Sequence, residues 1–205
     1  FQIECENGAA TCDNALDSKL GNHLAGLDFK YSMMMFDRPF SIYGQRIGED
    51  AVDYYRVTDN ANLIGLSTYL WGNKVFIEFS DTNIACSNVG TNEKSCYYEH
   101  ETYQSGYRRY GRAIGSSFDS DAKMLTLGIN KNFHNGALFE LILNRLILNK
   151  DKGSPSPVLS GLSEEVLRLS GFYQAAYGDW LVKLGASIEH GKVDDADSKT
   201  DVLVF

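Results

Sequence analysis

The chain has 205 residues, with 19 Lys+Arg against 27 Asp+Glu, a net charge of −8 and 43% hydrophobic residues. Its aromatic and charged fractions, 12% and 22%, exclude a disordered chain, and the acidic balance argues against a nucleic-acid binder, which needs a basic face. No apolar run approaches the roughly 18 residues of a membrane helix, whereas a membrane β-barrel stays open, because its strands alternate and keep the mean hydropathy low.

The sequence starts at Phe1 without an initiator Met or a signal-peptide pattern, so it reads as a mature or truncated chain. Residues 1–22 are a loop or linker holding Cys5 and Cys12. Period two then dominates. In a strand at 23–34, Ala25, Leu27, Phe29, Tyr31 and Met33 oppose Gly26, Asp28, Lys30 and Ser32. A short turn at 35–38 leads into a strand at 39–48, and a long connection at 49–61 precedes a strand at 62–71. Gly72-Asn73 is a two-residue hairpin turn, followed by a strand at 74–82 with Val75, Ile77 and Phe79 against Glu78 and Ser80. Residues 83–121 form a very long connection holding Cys86 and Cys96. Strands at 122–132 and 137–148 flank a short turn; a long loop at 149–162 contains Pro155 and Pro157. Strands at 163–177 and 180–190 meet in a tight turn, with Trp180, Val182, Leu184, Ala186 and Ile188 against Lys183, Gly185, Ser187 and Glu189. A polar loop at 191–197 leads to a last strand at 198–205.

Two local Cys pairs, each in a polar stretch, suggest two small disulfide loops and an oxidising compartment; zinc would need CxxC or HxxxH spacing, and neither occurs. Several of the nine strands reach ten residues or more. Ordinary strands average about five to six, whereas crossing a bilayer at a tilt takes about nine to eleven. The connections alternate long and short at every step, the pattern of an antiparallel transmembrane β-barrel with short periplasmic turns and long extracellular loops. With Phe205 at the periplasmic end, both Cys pairs fall outside the cell. Tyr31, Phe40, Tyr69, Trp71, Phe133, Tyr177 and Trp180 lie near short turns, where an aromatic girdle belongs. A soluble β-sandwich would also alternate, but with shorter strands and one face hidden in a core. Single-chain bacterial barrels have even strand numbers, and an open edge in lipid leaves backbone groups unpaired. An odd nine therefore predicts the C-terminal part of a larger barrel; residues 83–121 can hide two further strands around 102–114, for nine to eleven in all. Phe205 is expected on the lipid face, although Lys199 and Asp201 share its side.

Between residues 78 and 128 the sequence becomes specific. Glu78-Phe79-Ser80-Asp81-Thr82, the Cys86/Cys96 pair, Tyr97-Tyr98-Glu99-His100, the run from Tyr103-Gln104-Ser105-Gly106 through Tyr107-Arg108-Arg109-Tyr110-Gly111-Arg112-Ala113-Ile114-Gly115, Ser117-Phe118-Asp119-Ser120-Asp121 and Leu125-Thr126-Leu127-Gly128 follow in an order that resembles the capsule assembly protein family, Wzi. Gly26-Leu27-Asp28-Phe29-Lys30-Tyr31 and Ile42-Tyr43-Gly44-Gln45-Arg46-Ile47-Gly48-Glu49-Asp50 resemble it too. The resemblance runs over about residues 23–205. It implies an outer-membrane barrel that helps attach or assemble surface or capsular polysaccharide, in a family roughly twice this length with further N-terminal strands.

A polysaccharide binder stacks sugar rings on aromatics and hydrogen-bonds hydroxyls through polar and cationic side chains. Tyr97, Tyr103, Tyr107, Arg108, Arg109, Tyr110 and Arg112 concentrate both types in a chain of net charge −8 and are the candidate ligand-binding residues. The same residues also fit a structural ladder in which Arg bridges interior carboxylates such as Glu78, Glu140 and Asp28. Asp119-Ser120-Asp121 fits a turn with Asx hydrogen bonds better than a calcium site. Arg46 and Arg145 share the lipid-facing register near the outer strand ends, where lipopolysaccharide phosphates would lie. The four His are scattered, and neither GxSxG nor HExxH occurs, so no enzyme, cofactor or metal is expected. The alternatives are a porin-like channel, which bulky inward Tyr43, Phe76, Arg168 and Phe172 argue against, and a soluble disulfide-bonded β adhesin.

Overall fold

A computed structural model describes residues 25–52, 56–84, 97–98, 107–110, 112–150, 162–194 and 198–205. Both expected disulfides, Cys5 with Cys12 and Cys86 with Cys96, lie outside the described residues. The strands are β1 (Ala25–Met35), β2 (Arg38–Val52), β3 (Arg56–Leu70), β4 (Asn73–Asp81), β5 (Arg108–Arg109), β6 (Arg112–Ala113), β7 (Ala122–Asn132), β8 (Leu138–Leu148), β9 (Glu164–Tyr177), β10 (Trp180–Val193) and β11 (Lys199–Val204). Nine of them form one antiparallel sheet in the order β1-β2-β3-β4-β7-β8-β9-β10-β11, each paired with its neighbours in sequence apart from the step over β5 and β6. The two strands foreseen inside the long connection do form, but β5 and β6 are two-residue arms of a separate hairpin and do not join the sheet.

The pleat explains the two faces. Cross-strand partners point to the same side, so a register row reads one face at one height. One row runs Tyr31, Ile42, Leu66, Ile77, Leu127, Leu143, Leu169, Ile188, Val202, apolar on all nine strands. The row offset by one residue runs Lys30, Tyr43, Gly65, Glu78, Thr126, Asn144, Arg168, Glu189, Asp201, without an aliphatic side chain. Its groups bond laterally: Tyr43 Oη donates to Glu78 Oε2 at 3.1 Å, Thr126 Oγ1 to Asn144 Oδ1 at 2.8 Å, and Arg168 Nε to Glu189 Oε2 at 2.6 Å. The apolar face carries Leu27, Phe29, Leu66, Leu127, Leu169 and Leu184 exposed, and no second layer of described residues covers it. A sandwich would have buried this face. A sheet with its apolar side outward and its polar side inward is barrel wall.

Tight turns close one end. Phe36 and Asp37 both have positive φ (53° and 56°), as do Trp71 and Gly72 (50° and 76°), the mirror-image turns whose twist matches a hairpin. At the opposite end the expected long loop at 49–61 is a correction. β2 and β3 continue through it, with Asp50 paired to Thr58 and Val52 to Arg56, so this hairpin stands beyond its neighbours. Phe205 is a second correction. Its backbone pairs with Gly185 (Gly185 N to Phe205 O, 2.7 Å) and its ring lies beside Gly185, on the inward side with Lys199 and Asp201; Val202 and Val204 face outward. The girdle also shifts. Tyr69 faces inward opposite Lys74, and Tyr31 sits within the apolar row, while Phe36, Trp71, Tyr177 and Trp180 are exposed at the turn end.

On the inward face, aromatic side chains lie over glycines of the neighbouring strand. Tyr43 covers its partner Gly65 and Phe76 covers its partner Gly128, and a Cβ at either glycine would enter the ring. Such ring-over-glycine pairs hold register and curvature. Gly128→Leu is therefore expected to lose about 1–3 kcal/mol through overpacking. Urea titration of the heat-modifiable electrophoretic band measures it, and adding Phe76→Ala should restore part of the loss.

Candidate functional site

The long connection between β4 and β7 starts and ends in a tightly bonded base. Thr82 N donates to Ala122 O at 2.8 Å, and Asp121 N to Thr82 O at 3.1 Å. Thr82 Oγ1 donates to the carbonyl of Asp119 at 2.9 Å, and Asn83 Nδ2 to the carboxylate of Asp121. Asp119 and Asp121 have positive φ (64° and 53°), a backbone state that Asp tolerates better than most residues. Ser120 N donates to Asp119 Oδ1 at 2.8 Å, a bond between adjacent residues.

Above the base, Asp119 receives Arg108 in a two-pronged pair, Nε to Oδ2 at 2.8 Å and Nη2 to Oδ1 at 2.6 Å, with side chains only 2% and 1% exposed. An apolar pad lies beside it. Ile84, Tyr97, Tyr98 and Ala61 are buried together, and Ile47 and Ala113 pack on them. Ile47 and Ala61 belong to the inward side of β2 and β3, so the connection docks on the interior face of the projecting hairpin. Tyr98 fixes the rest. Its hydroxyl accepts from Ser116 N at 2.8 Å, its carbonyl accepts from Tyr107 N at 2.7 Å, and its ring stacks on Tyr107 with centroids 5.6 Å apart.

The hairpin β5–β6 rests on this support. Arg108 and Ala113 are cross-strand partners on its inner side; Arg109 and Arg112 are partners on its exposed side. Tyr110, at the turn with φ 52°, is 94% exposed, and the Arg109 guanidinium lies 5.5 Å from its ring centroid. Like charges directly opposite cost stability, so the Arg109/Arg112 pair is not placed there for the fold. A cationic pair beside an open aromatic face can stack a ring and hydrogen-bond hydroxyl or carboxylate oxygens.

The seven sequence candidates thus divide. Arg109, Tyr110 and Arg112 come together at the exposed tip, and Tyr107 flanks them half-exposed. Tyr97 and Arg108 are buried in the support. Tyr103 lies outside the described residues. Sequence reasoning missed Asp119 as the partner of Arg108, looking instead to Glu78 and Glu140, which bond to Tyr43 and Asn130. The available clue was an Asp within one loop of the Arg run. It also missed Tyr98 as the organising ring and Ile114 as a further exposed apolar side chain.

Elsewhere, Arg46 and Arg145 face outward, in register with Gly44 and Leu143 on the same side. Arg145 pairs with Glu165 at 2.6 Å. His134 is exposed in its turn, and His190 Nδ1 lies 3.0 Å from Thr200 Oγ1. No group of three or more metal-ligating side chains gathers among the described residues.

No curated protein matches the chain. Among solved structures, Wzi from Escherichia coli, described as an outer membrane protein involved in group 1 capsule assembly and a carbohydrate-binding β-barrel, superposes with a TM-score of 0.68 at 23% identity, over 89% of this chain and 40% of that one. The chain therefore spans less than half the length of that protein, and its open nine-stranded sheet is a segment of the same kind of antiparallel β-barrel. The sequence profile described as Capsule assembly protein Wzi matches residues 2–202, and the chain belongs to that family.

Proposed function

We propose that the chain is part of an outer-membrane barrel that binds capsular or other surface polysaccharide during its assembly or attachment, and that the β5–β6 hairpin makes the contact. Tyr107, Arg109, Tyr110 and Arg112 touch the polymer; Tyr97 and Arg108 hold the hairpin in place, and Tyr103 belongs to the same loop. The observation that carries this reading is an exposed tyrosine flanked by a cross-strand arginine pair, on a base held by a buried ion pair. Family membership and the carbohydrate-binding barrel in E. coli support the polymer class. The outward apolar face supports placement in the outer membrane, with the loop end at the cell surface. The role is binding, not catalysis.

The variant Arg109→Ala/Tyr110→Ala/Arg112→Ala tests this. Purified polysaccharide should bind about tenfold or more weakly, the scale of losing aromatic and Arg hot spots, and cells should shed polymer into the medium. Unchanged retention with a folded barrel rejects the hairpin as the binding site. A porin-like channel is the lesser reading, because Tyr43, Phe76, Arg168 and Phe172 are bulky side chains on the inward side and the loop docks on Ile47 and Ala61 of the same side. Planar-bilayer conductance separates the two.

A further inference from the structure

The outward face changes character at one height. Two outward register rows, from Met33 to Val204 and from Tyr31 to Val202, carry no polar side chain but Thr68; the row nearest the turns includes Arg38, Asn73 and Lys131, and the row above the two is apolar at Phe29, Ile64, Phe79, Leu125 and Leu167 but holds Arg145, His190 and Thr200. The next row toward the loop end carries Arg46, Asn62, Asp81, Lys123, Glu165 and Lys192 beside Leu27 and Ile147, with Arg145 one row below. Cations outnumber carboxylates there, against the trend of a chain with net charge −8. Lys123 bonds Asp81 at 2.9 Å and Arg145 bonds Glu165 at 2.6 Å, while Arg46 and Lys192 are exposed and make no ion pair among the described residues. On β8, β9 and β10, Arg145 and Lys192 flank Glu165, with Lys192 directly opposite it in register. The Arg145–Glu165 pair has side chains 60% and 53% exposed, so it exchanges partners at little cost.

Water alone would not require this excess of one sign at the upper margin of an apolar band. An anionic headgroup layer would. We propose that Arg46, Lys123, Arg145 and Lys192 form a binding belt for the phosphate groups of the lipid A headgroup of outer-leaflet lipopolysaccharide. Arg46 and Lys123 serve the β2–β7 side, and Arg145 and Lys192 the β8–β10 side. Arginine forks match phosphate oxygens geometrically, and the ammonium groups add point charges at the same depth. Glu165 competes with phosphate for Arg145. The proposal rests on the outer-membrane placement but is independent of the hairpin and its polymer.

The test uses the full-length protein inserted in nanodiscs of zwitterionic phosphatidylcholine, titrated with bisphosphorylated lipid A and with the same lipid after phosphate removal, read by native mass spectrometry. The wild type should prefer the phosphorylated form. Arg46→Ala/Arg145→Ala/Lys192→Ala should weaken it about a hundredfold, at about fivefold per cation near an anionic surface. Glu165→Gln should tighten binding by freeing Arg145, which a merely structural ion pair would not do. Lys183→Ala removes an inward cation, stacked on Phe172 at 3.8 Å, and should leave lipid binding unchanged. Equal binding of both lipids, or a triple variant with wild-type affinity, overturns the belt while leaving the outer-membrane placement intact. Failure to insert at all overturns both.

Discussion

Leu169→Arg is expected to abolish or severely impair assembly of the barrel, while Ser170→Arg, the next residue along β9, is tolerated. Leu169 lies in the middle of the outward row, between Leu143 on β8 and Ile188 on β10, and is exposed. If that face meets acyl chains, an Arg there costs about 2–4 kcal/mol at mid-depth. Ser170 points the other way, between Ile142 and Ser187, one row from Arg168 and Glu189. The sign of the first result carries the argument. In a water-soluble sheet, replacing an exposed leucine by arginine would be neutral or would improve solubility, since it removes apolar surface from water. Urea midpoints of the heat-modifiable band in lipid vesicles, compared for the two variants, decide it. Equal midpoints would mean that the outward apolar face does not meet lipid.

How far the fold could be read in advance depended on what each segment faces. Where a strand has lipid on one side and the polar interior on the other, side chains alternate, and β4, β7 and β8 lie within a residue or two of the segments expected. Toward the loop end the strands leave the apolar band. The alternation then disappears although the backbone ladder continues, and Asp50, Thr58 and Asn60 read as loop while pairing as strand. The last strand held its own answer. Val202 and Val204 mark the outward side, which leaves Phe205 inward with Asp201, whereas the expectation of a terminal aromatic on the lipid face pointed the wrong way. In the candidate site, composition identified the Tyr/Arg loop but could not divide it. A tyrosine supporting a loop and a tyrosine open to a sugar are the same letter, and the difference between Tyr97 and Tyr110 lies in contacts to residues as distant as Ile47 and Ala61. Arg108 and Asp119 meet because the chain doubles back through positive-φ aspartates, which no period announces.

That division predicts the behaviour of Arg108. Arg108→Ala leaves the Asp119 carboxylate buried without its guanidinium, a loss of about 3–5 kcal/mol when one member of a buried pair is removed. The carbonyl of the same Asp119 receives Thr82 at the mouth of β4 and β7, so the damage should spread through the loop base while the registers of the nine-stranded sheet, which do not include Arg108, persist. Trypsin should then cut after Arg109 and Arg112 in the folded barrel at a rate that the wild type resists. Polysaccharide retention should fall with the undocked fraction. Replacing both partners, Arg108→Leu with Asp119→Asn, removes the stranded charge, while Asn keeps the positive-φ backbone and an acceptor for Ser120 N, so much of the lost stability returns. If Arg108 acts as a support, this double variant regains both protease resistance and polymer retention, because Arg109, Tyr110 and Arg112 are again held in place. If Arg108 itself touches the polymer, resistance returns and retention does not. The two readouts therefore separate the support of the hairpin from its contact surface, which single alanine substitutions within the run from Tyr107 to Arg112 would leave confounded.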